Sequence, residues 1–580
     1  MPHRFFIGRT RTRPVAALAS CLALAAALAP PAAAQVDPVP RLKAVGRDLL
    51  YGDTPVRLFG QGDEVLLIKS KADEIAETLW YEPFDANFTR IHAFGPFIPD
   101  SEEPLQPWPK VDGVRVDLRR KNAAYYERLA GYLNENRRLG RVVLLQVFDE
   151  VGFERGADRW DLNPFQPDRN VNSLGLPPAG RDGLPEFFTL ANAALREVQE
   201  DYVRNLVLET HRFGNVIYEI CNEYSGSVEW LDHFVRFFQS LEAETGRDLV
   251  VTNMSCNAGL LAYEVASPAI DVLDVFHAPE SLRQYTTRQI HDRFLAARAY
   301  GKPVIAGRIG PEPDISDLAF AGVRRSRSAF WSIFMAGGVG STTKEDDDGI
   351  RTRFGPPLYC DDPEWELSIK ALQSFIADAG DVRGYVPDDG LVESAPTNVA
   401  FALRAPLRIL VYLAEPVVAG DLRLRGLDDG AYTVRVFDPV SGAYAAVSRA
   451  VVSGGRVTVP VPAFSEDIAF VLDASPITVT VLRSLVPEPD ASRIEVVVLR
   501  HAGIDPGGDG RADYTGTLAV DGRPVPLERD VAVDVVRKAR VERLRFLLPK
   551  FAPGAHEIAF RVVDAAGERD ATRHRFFVRD

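Results

Sequence analysis

The sequence is poor in cysteine, in basic tracts and in long apolar runs, and each shortage excludes a class of protein. Four cysteines in 580 residues cannot make a disulfide framework. Three of them, Cys221, Cys256 and Cys360, are too widely spaced for a metal-ligand cluster. Cys221 lies inside an apolar run, where burial as a small hydrophobe is the simplest role. Acidic side chains outnumber basic ones, for a net charge of −14, and without the four arginines of the first 34 residues the balance is more negative still. No basic tract offsets that charge, which argues against a nucleic-acid partner. Beyond the N-terminus no apolar run approaches the ~20 residues that span a bilayer. No residue pattern points to a metal or a cofactor, and none specifies an oligomeric state.

What is present begins at the N-terminus. Arg9, Arg11 and Arg13 precede the apolar run Val15 to Ala29 and the segment Pro30-Pro31-Ala32-Ala33-Ala34-Gln35. A charged start, an apolar centre and an Ala-x-Ala site read as a secretory signal cleaved after Ala34, which predicts a secreted or periplasmic protein. Leu18-Ala19-Ser20-Cys21 resembles a lipoprotein cleavage box, but the apolar run before it is very short and continues past the cysteine.

Apolar runs then alternate with helical patterns. A hairpin turn at Gly52-Asp53 opens the chain. The run Ala86 to Phe94 reads as a strand that places Arg90 and His92 on one face near its C-terminal end. Helix Ala123 to Arg138 leads to the buried strand Arg141 to Phe148, which is followed by Asp149 and Glu150. A long loop, Gly152 to Gly183, is a candidate substrate-binding excursion. Helix Pro185 to Phe213 precedes the strand Asn215 to Cys221, which ends on Asn222-Glu223. Helix Trp230 to Thr245, strand Asp248 to Asn253, strand Ile270 to His277, helix Leu282 to Tyr300, strand Lys302 to Gly310, helix Asp317 to Phe334, strand Met335 to Thr343 and helix Pro363 to Ala379 complete the pattern. Eight strand–helix units from Val56 to Ala379 predict a parallel (β/α)8 barrel. From Val386 the periodicity changes to two, with turns at Gly426 to Gly430 and Asp438 to Gly442. The predicted organisation is a signal at 1–34, a barrel over 35–382, a β-sandwich over 383–475 and a second, immunoglobulin-like sandwich over 476–580.

Residues at the C-terminal ends of barrel strands are where such folds keep their chemistry. On that ground Glu223 is a candidate acid/base acting on a sugar; capping the next helix or pairing with an arginine are the plainer roles for such a residue. With Asn222-Glu223 ending the fourth strand, Arg90 near the end of the second and His277 at the end of the sixth, the chain resembles the clan-A glycoside hydrolases. The segments Val436-Phe437-Asp438-Pro439 with Gly442, and Asp467 to Leu472, are similar to a sandwich that follows some bacterial barrels of this kind and is labelled collagen-binding. The resemblance implies hydrolysis of a glycosidic bond in a polysaccharide or oligosaccharide, with Glu223 as acid/base and Asn222 holding a sugar hydroxyl. It also implies a second carboxylate at the end of strand seven, where this chain has Lys302-Pro303-Val304-Ile305-Ala306-Gly307-Arg308.

A guanidinium at Arg308 is neither nucleophile nor base. Three readings follow. Another carboxylate supplies the second role, with Glu312 preferred over Glu280, Asp149, Glu150 and the run Glu345 to Asp348. Or Arg308 pairs with Glu223 or binds an anionic sugar such as a uronic acid. Or the barrel is a carbohydrate-binding or surface scaffold derived from a hydrolase. A guanidinium beside Glu223 favours its ionised form and so opposes a general-acid role. Trp160, in the long loop, is the candidate sugar-stacking platform, with Arg90, His92, His277, Arg308, Asp149 and Glu150 as further substrate contacts. Trp230, Trp331 and Trp365 sit in helical patterns and are expected in the core. Asp505 to Asp513 faintly resembles a calcium loop but lacks the ligand spacing, and a hairpin turn is the simpler reading.

Overall fold

The computed structural model describes residues 39–62, 86–94, 105–153, 160–178, 184–278, 282, 285–309, 323–343 and 363–474, and the strands between 477 and 578. The opening hairpin forms as β1 (Leu42–Val45), β2 (Asp48–Tyr51) and β3 (Thr54–Pro55), a small antiparallel sheet. Gly52 turns it at φ 64°, in the left-handed region that glycine enters without penalty.

Eight parallel strands follow. They are β4 (Leu58–Gly62), β5 (Phe88–His92), β6 (Val142–Asp149), β7 (Val216–Asn222), β8 (Val250–Thr252), β9 (Leu273–Asp274), β10 (Val304–Ile309) and β11 (Gly340–Thr343). They lie in the order β8-β7-β6-β5-β4-β11-β10-β9. The two ends of this sheet approach each other, because the Asp271 and Val272 amides donate to Val251 O at 2.9 and 3.3 Å. The result is a nearly closed eight-stranded barrel, in which β7 is the fourth strand, β9 the sixth and β10 the seventh.

One face of each strand points inward, and the interior is layered. Leu58, Phe88, Leu144, Ile217, Val250, Val272, Ile305 and Val339 form one buried apolar cluster. Two residues further along, the period-two geometry brings polar side chains to the same face: Arg90, Gln146, Glu219 and Asp274, all buried. The lumen thus changes from apolar to polar toward the C-terminal end of the barrel.

The helices Ala123–Arg138, Val228–Thr245 and Pro363–Ala379 match the spacing closely. Three departures have local causes. The helix expected over Pro185 to Phe213 is divided into Leu184–Phe187 and Ala193–Thr210, with a 3-10 turn at His211–Phe213. Asn192 restarts it: its backbone is extended and its side chain accepts from the Leu195 amide at 3.1 Å. Helix Thr287–Arg298 starts later than expected because Thr286 and Gln289 make a capping box. Helix Ala258–Ala266, capped by Asn257, was not anticipated.

Beyond the barrel the strands are antiparallel, as the change of period predicts. β12 (Val386–Pro387), β14 (Val399–Ala405), β15 (Arg408–Ala414), β17 (Gly430–Asp438), β18 (Ala443–Val452) and β20 (Asp467–Asp473) make one sheet. β13 (Val392–Ser394), β16 (Gly420–Arg425) and β19 (Arg456–Val461) make the other. Ile409, Val411 and Phe470 from the first sheet share a core with Leu422, Leu424 and Val459 from the second, so the two form a sandwich. The opposite side of the larger sheet meets the barrel's last helices, with Trp331 stacked on Tyr412 at 5.0 Å. Eight further strands between Ile477 and Val578 form two four-stranded antiparallel sheets.

Candidate functional site

Glu223 follows directly on β7, with φ 49°, in the left-handed region that a side chain enters only under constraint. The constraint is visible on both sides of it. The Tyr224 amide donates to Met254 O at 2.8 Å, the Cys256 amide to Tyr224 O at 2.8 Å, and the Met254 amide to Cys221 O at 3.2 Å. Asn253 Oδ1 also accepts from the Cys221 amide at 3.0 Å. The segment after β8 therefore clamps the end of β7 and turns the Glu223 side chain off the strand.

That side chain meets two partners. Arg308 Nη2, on β10, makes an ion pair with Glu223 Oε1. His277 Nε2 lies 3.3 Å from the same oxygen. The Arg308 guanidinium carbon stands 5.5 Å from the Phe276 ring centroid, within cation–π range. Glu223 is the more open member of the pair, its side chain 17% exposed against 6% for Arg308.

Asn222 anchors a second chain of contacts. Arg90 Nη2 donates to Asn222 Oδ1 at 2.7 Å, and Asn222 Nδ2 donates to Asp149 Oδ1 at 2.7 Å. Asp149 Oδ2 is 3.6 Å from His92 Nδ1. Below them, Arg90 is 3.6 Å from Glu219 Oε1, which also accepts from Gln146 Nε2 at 3.0 Å. Glu150 accepts from the Ser225 amide at 2.6 Å and from the Ser225 hydroxyl, holding the turn after Glu223. The oxygens of Asp149 and Glu150 thus serve neighbours of Glu223.

Three carboxyl groups beneath this face were not singled out from the sequence. Asp274 accepts from the Phe276 amide at 3.0 Å and the Gly307 amide at 2.8 Å, tying the segment that carries His277 to the strand that carries Arg308. Burial, reinforced by the nearby charge of Glu219, pushes the Asp274 carboxyl well above the usual range. A side chain at Gly307 would bring its Cβ within 2.5 Å of Asp274 Oδ2 and 2.6 Å of Met254 Cε, so any larger residue there would have to displace one of these side chains. Glu264, fully buried, accepts from Asn253 Nδ2 at 2.8 Å and from the Ser255 hydroxyl, and burial pushes its carboxyl up to about 8. Glu219 is the third. For Glu219 and Asp274 the available signal was an ionisable residue inside a run read as a buried strand; Glu264 lies on the unanticipated helix Ala258–Ala266 and had no such signal.

The structure brings Arg90, His92, Asp149, Glu150, Asn222, Glu223, His277 and Arg308 to the C-terminal ends of five strands. Trp160 is a correction. It is fully buried, with its indole N–H directed to Pro178 O at 3.3 Å and its ring 5.9 Å from that of Phe153, so no face is open to a sugar. Packing of the loop's aromatic residues, not ligand binding, accounts for it. Trp230 and Trp331 are buried in the core, and so is Cys221. Glu312, Glu280, the Glu345 to Asp348 run, the Asp505 to Asp513 segment, the Trp365 side chain and residues 1–34 lie outside the described residues. Among the described residues no group of three histidine, cysteine or acidic side chains could hold a metal ion, and no helix is long and apolar enough to cross a membrane.

The family profile of a domain of unknown function (DUF6298) matches residues 106–309, which include every one of these site positions except Arg90 and His92. No curated protein matches the sequence. Among solved structures, a glycoside hydrolase family 5 protein from Bacteroides vulgatus is similar over 75% of this chain and 93% of its own, with 14% identity and a TM-score of 0.53. A second glycoside hydrolase is similar over 75% of this chain and 97% of its own, again with 14% identity and a TM-score of 0.53. The chain shares the fold of these hydrolases, an eight-stranded barrel followed by antiparallel sheets.

Proposed function

We propose that the protein is a secreted carbohydrate-active enzyme of the glycoside hydrolase type, working at the C-terminal mouth of the barrel. The observation that carries this reading is Glu223 at the end of the fourth strand, beside Asn222 and facing His277, in a fold shared with glycoside hydrolases. Fold alone does not assign chemistry, so the argument rests on the site. Glu223 donates a proton to the leaving glycosidic oxygen as the anomeric C–O bond breaks. Water adds to the anomeric carbon and gives its proton to a second carboxylate. Glu312, four residues past Arg308, is proposed for that role ahead of Glu280 and the Glu345 to Asp348 run because it stands just beyond the seventh strand, where the resemblance implies the second carboxylate; Asp149 and Glu150 hold Asn222 and Ser225. Arg90 and Asp149 fix the orientation of the Asn222 amide, and Asn222 then meets a sugar hydroxyl.

The Arg308–Glu223 ion pair favours a second reading, a barrel that binds carbohydrate without cleaving it. Incubation of the full chain with a panel of neutral and acidic polysaccharides separates the two. Release of new reducing ends from at least one glycan, lost in Glu312→Gln, supports the hydrolase with Glu312 as its second carboxylate. Retention of a glycan in affinity electrophoresis with no cleavage favours the binder.

A further inference from the structure

We propose that Arg308 is a docking point for a carboxylate on the sugar: the ligand is an acidic glycan whose uronate replaces Glu223 on the guanidinium. This rests on the reading of the barrel mouth as a carbohydrate site and names the class of sugar it takes.

Arg308 carries a permanent charge and a planar fork of donors that matches a carboxylate. It already holds one, since Nη2 contacts Glu223 Oε1. The site contains a contrasting arginine. Arg90 is wholly buried, and its contacts with Asn222 at 2.7 Å and Glu219 at 3.6 Å lie inside the barrel wall. Arg308 instead meets a carboxylate that is partly open to solvent and that belongs to the proposed reacting group. Removing the partner of a buried charge is costly, but exchanging one carboxylate for another keeps the guanidinium paired. Phe276 lies against the guanidinium, which stands 5.5 Å from its ring centroid.

The exchange has a chemical consequence. While Arg308 pairs with Glu223, that side chain is held as a carboxylate and cannot give a proton. When a uronate takes the guanidinium, Glu223 loses that permanent positive charge, keeps His277 beside it and gains an anionic neighbour, and the loss and the gain both favour its protonated form. An acidic sugar would thus both occupy the site and put Glu223 in the state that cleavage needs. The chain's net charge of −14 does not steer an acidic polymer toward it, so recognition is local to Arg308.

The test is titration calorimetry of the full chain with matched pairs of oligosaccharides. Each pair is an oligouronide and its carboxyl-reduced, neutral counterpart of the same length. At least one acidic member is expected to bind ~10-fold or more tightly than its neutral counterpart, the gain of one charge-assisted contact. Arg308→Gln removes that preference, and Arg308→Lys retains part of it. Glu223→Gln, which removes the competing carboxylate, strengthens binding of the acidic member several-fold, a gain that a damaged fold would not produce. Equal binding of acidic and neutral members, or a preference that survives Arg308→Gln, overturns the proposal while leaving a carbohydrate site in place. Binding of neither member in any pair overturns both.

Discussion

Among the described residues, the buried arginine–carboxylate pairs between barrel and sandwich and the pair at the barrel mouth are built differently. Between barrel and sandwich, Arg435 is fully buried and donates to Asp378 at 2.6 Å and to Asp473 at 2.9 Å. Arg408 also pairs with Asp473, and Arg327 donates to Asp467 at 3.0 Å. Although burial opposes it, Arg408 and Arg435 together hold the Asp473 carboxyl below its usual range. These charges are shared among several partners and shielded from solvent, as a structural joint requires. At the barrel mouth, Arg308 meets Glu223, which is partly exposed and set on a constrained backbone. The same chemistry is a staple in one place and, on the proposal made for Arg308, an exchangeable contact in the other. What separates them is access to solvent.

The comparison breaks if both sets respond alike to substitution. The largest effect is expected at the joint: Arg435→Met takes the arginine from Asp378 and leaves Asp473 with Arg408 alone, and costs about 3–5 kcal/mol, read from denaturant unfolding. Glu223→Gln, which keeps an acceptor facing Arg308, costs less, roughly 1–3 kcal/mol. Equal losses would make the mouth pair a structural staple too.

Glu264 tests the layer beneath the mouth. Its carboxyl titrates near 8 in the fold against 4.5 ordinarily. Between these values the folded chain keeps a proton that the unfolded chain releases, so this group's contribution to stability falls as pH rises through that window. Glu264→Gln should therefore narrow the difference in unfolding midpoint between about pH 5 and about pH 8. An unchanged difference would show that another group carries it. The smallest effect concerns the backbone. At a φ of 49°, Glu223→Gly should be more stable than Glu223→Ala by about 1 kcal/mol, and a reversed order would remove the argument for constraint.

Much of the barrel was legible because buried parallel strands are continuous apolar runs. Val142–Asp149, Val216–Asn222 and Val304–Ile309 all lie where such runs stand. β9 is far shorter than the run Ile270 to His277 suggests. The Val251 amide donates to Asp271 Oδ2 at 2.9 Å, so a side chain takes the donor that a strand neighbour's carbonyl would use. Asn257 was a readable cap for the helix that went unrecognised. The members of the site could be read from strand ends, but their connections could not. That Asn222 bridges Arg90 and Asp149 depends on register between strands far apart in sequence. Trp160 shows the same limit, since its burial is set by Phe153 and the loop around it, which local pattern does not encode.

Glu223 is proposed to supply the proton for glycosidic cleavage. The most direct test is the cleavage rate of Glu223→Gln against the native chain on the glycan that the native chain cleaves fastest. A loss of about 10²–10⁴-fold is expected, with the folded structure retained. A rate within a few-fold of native would contradict it.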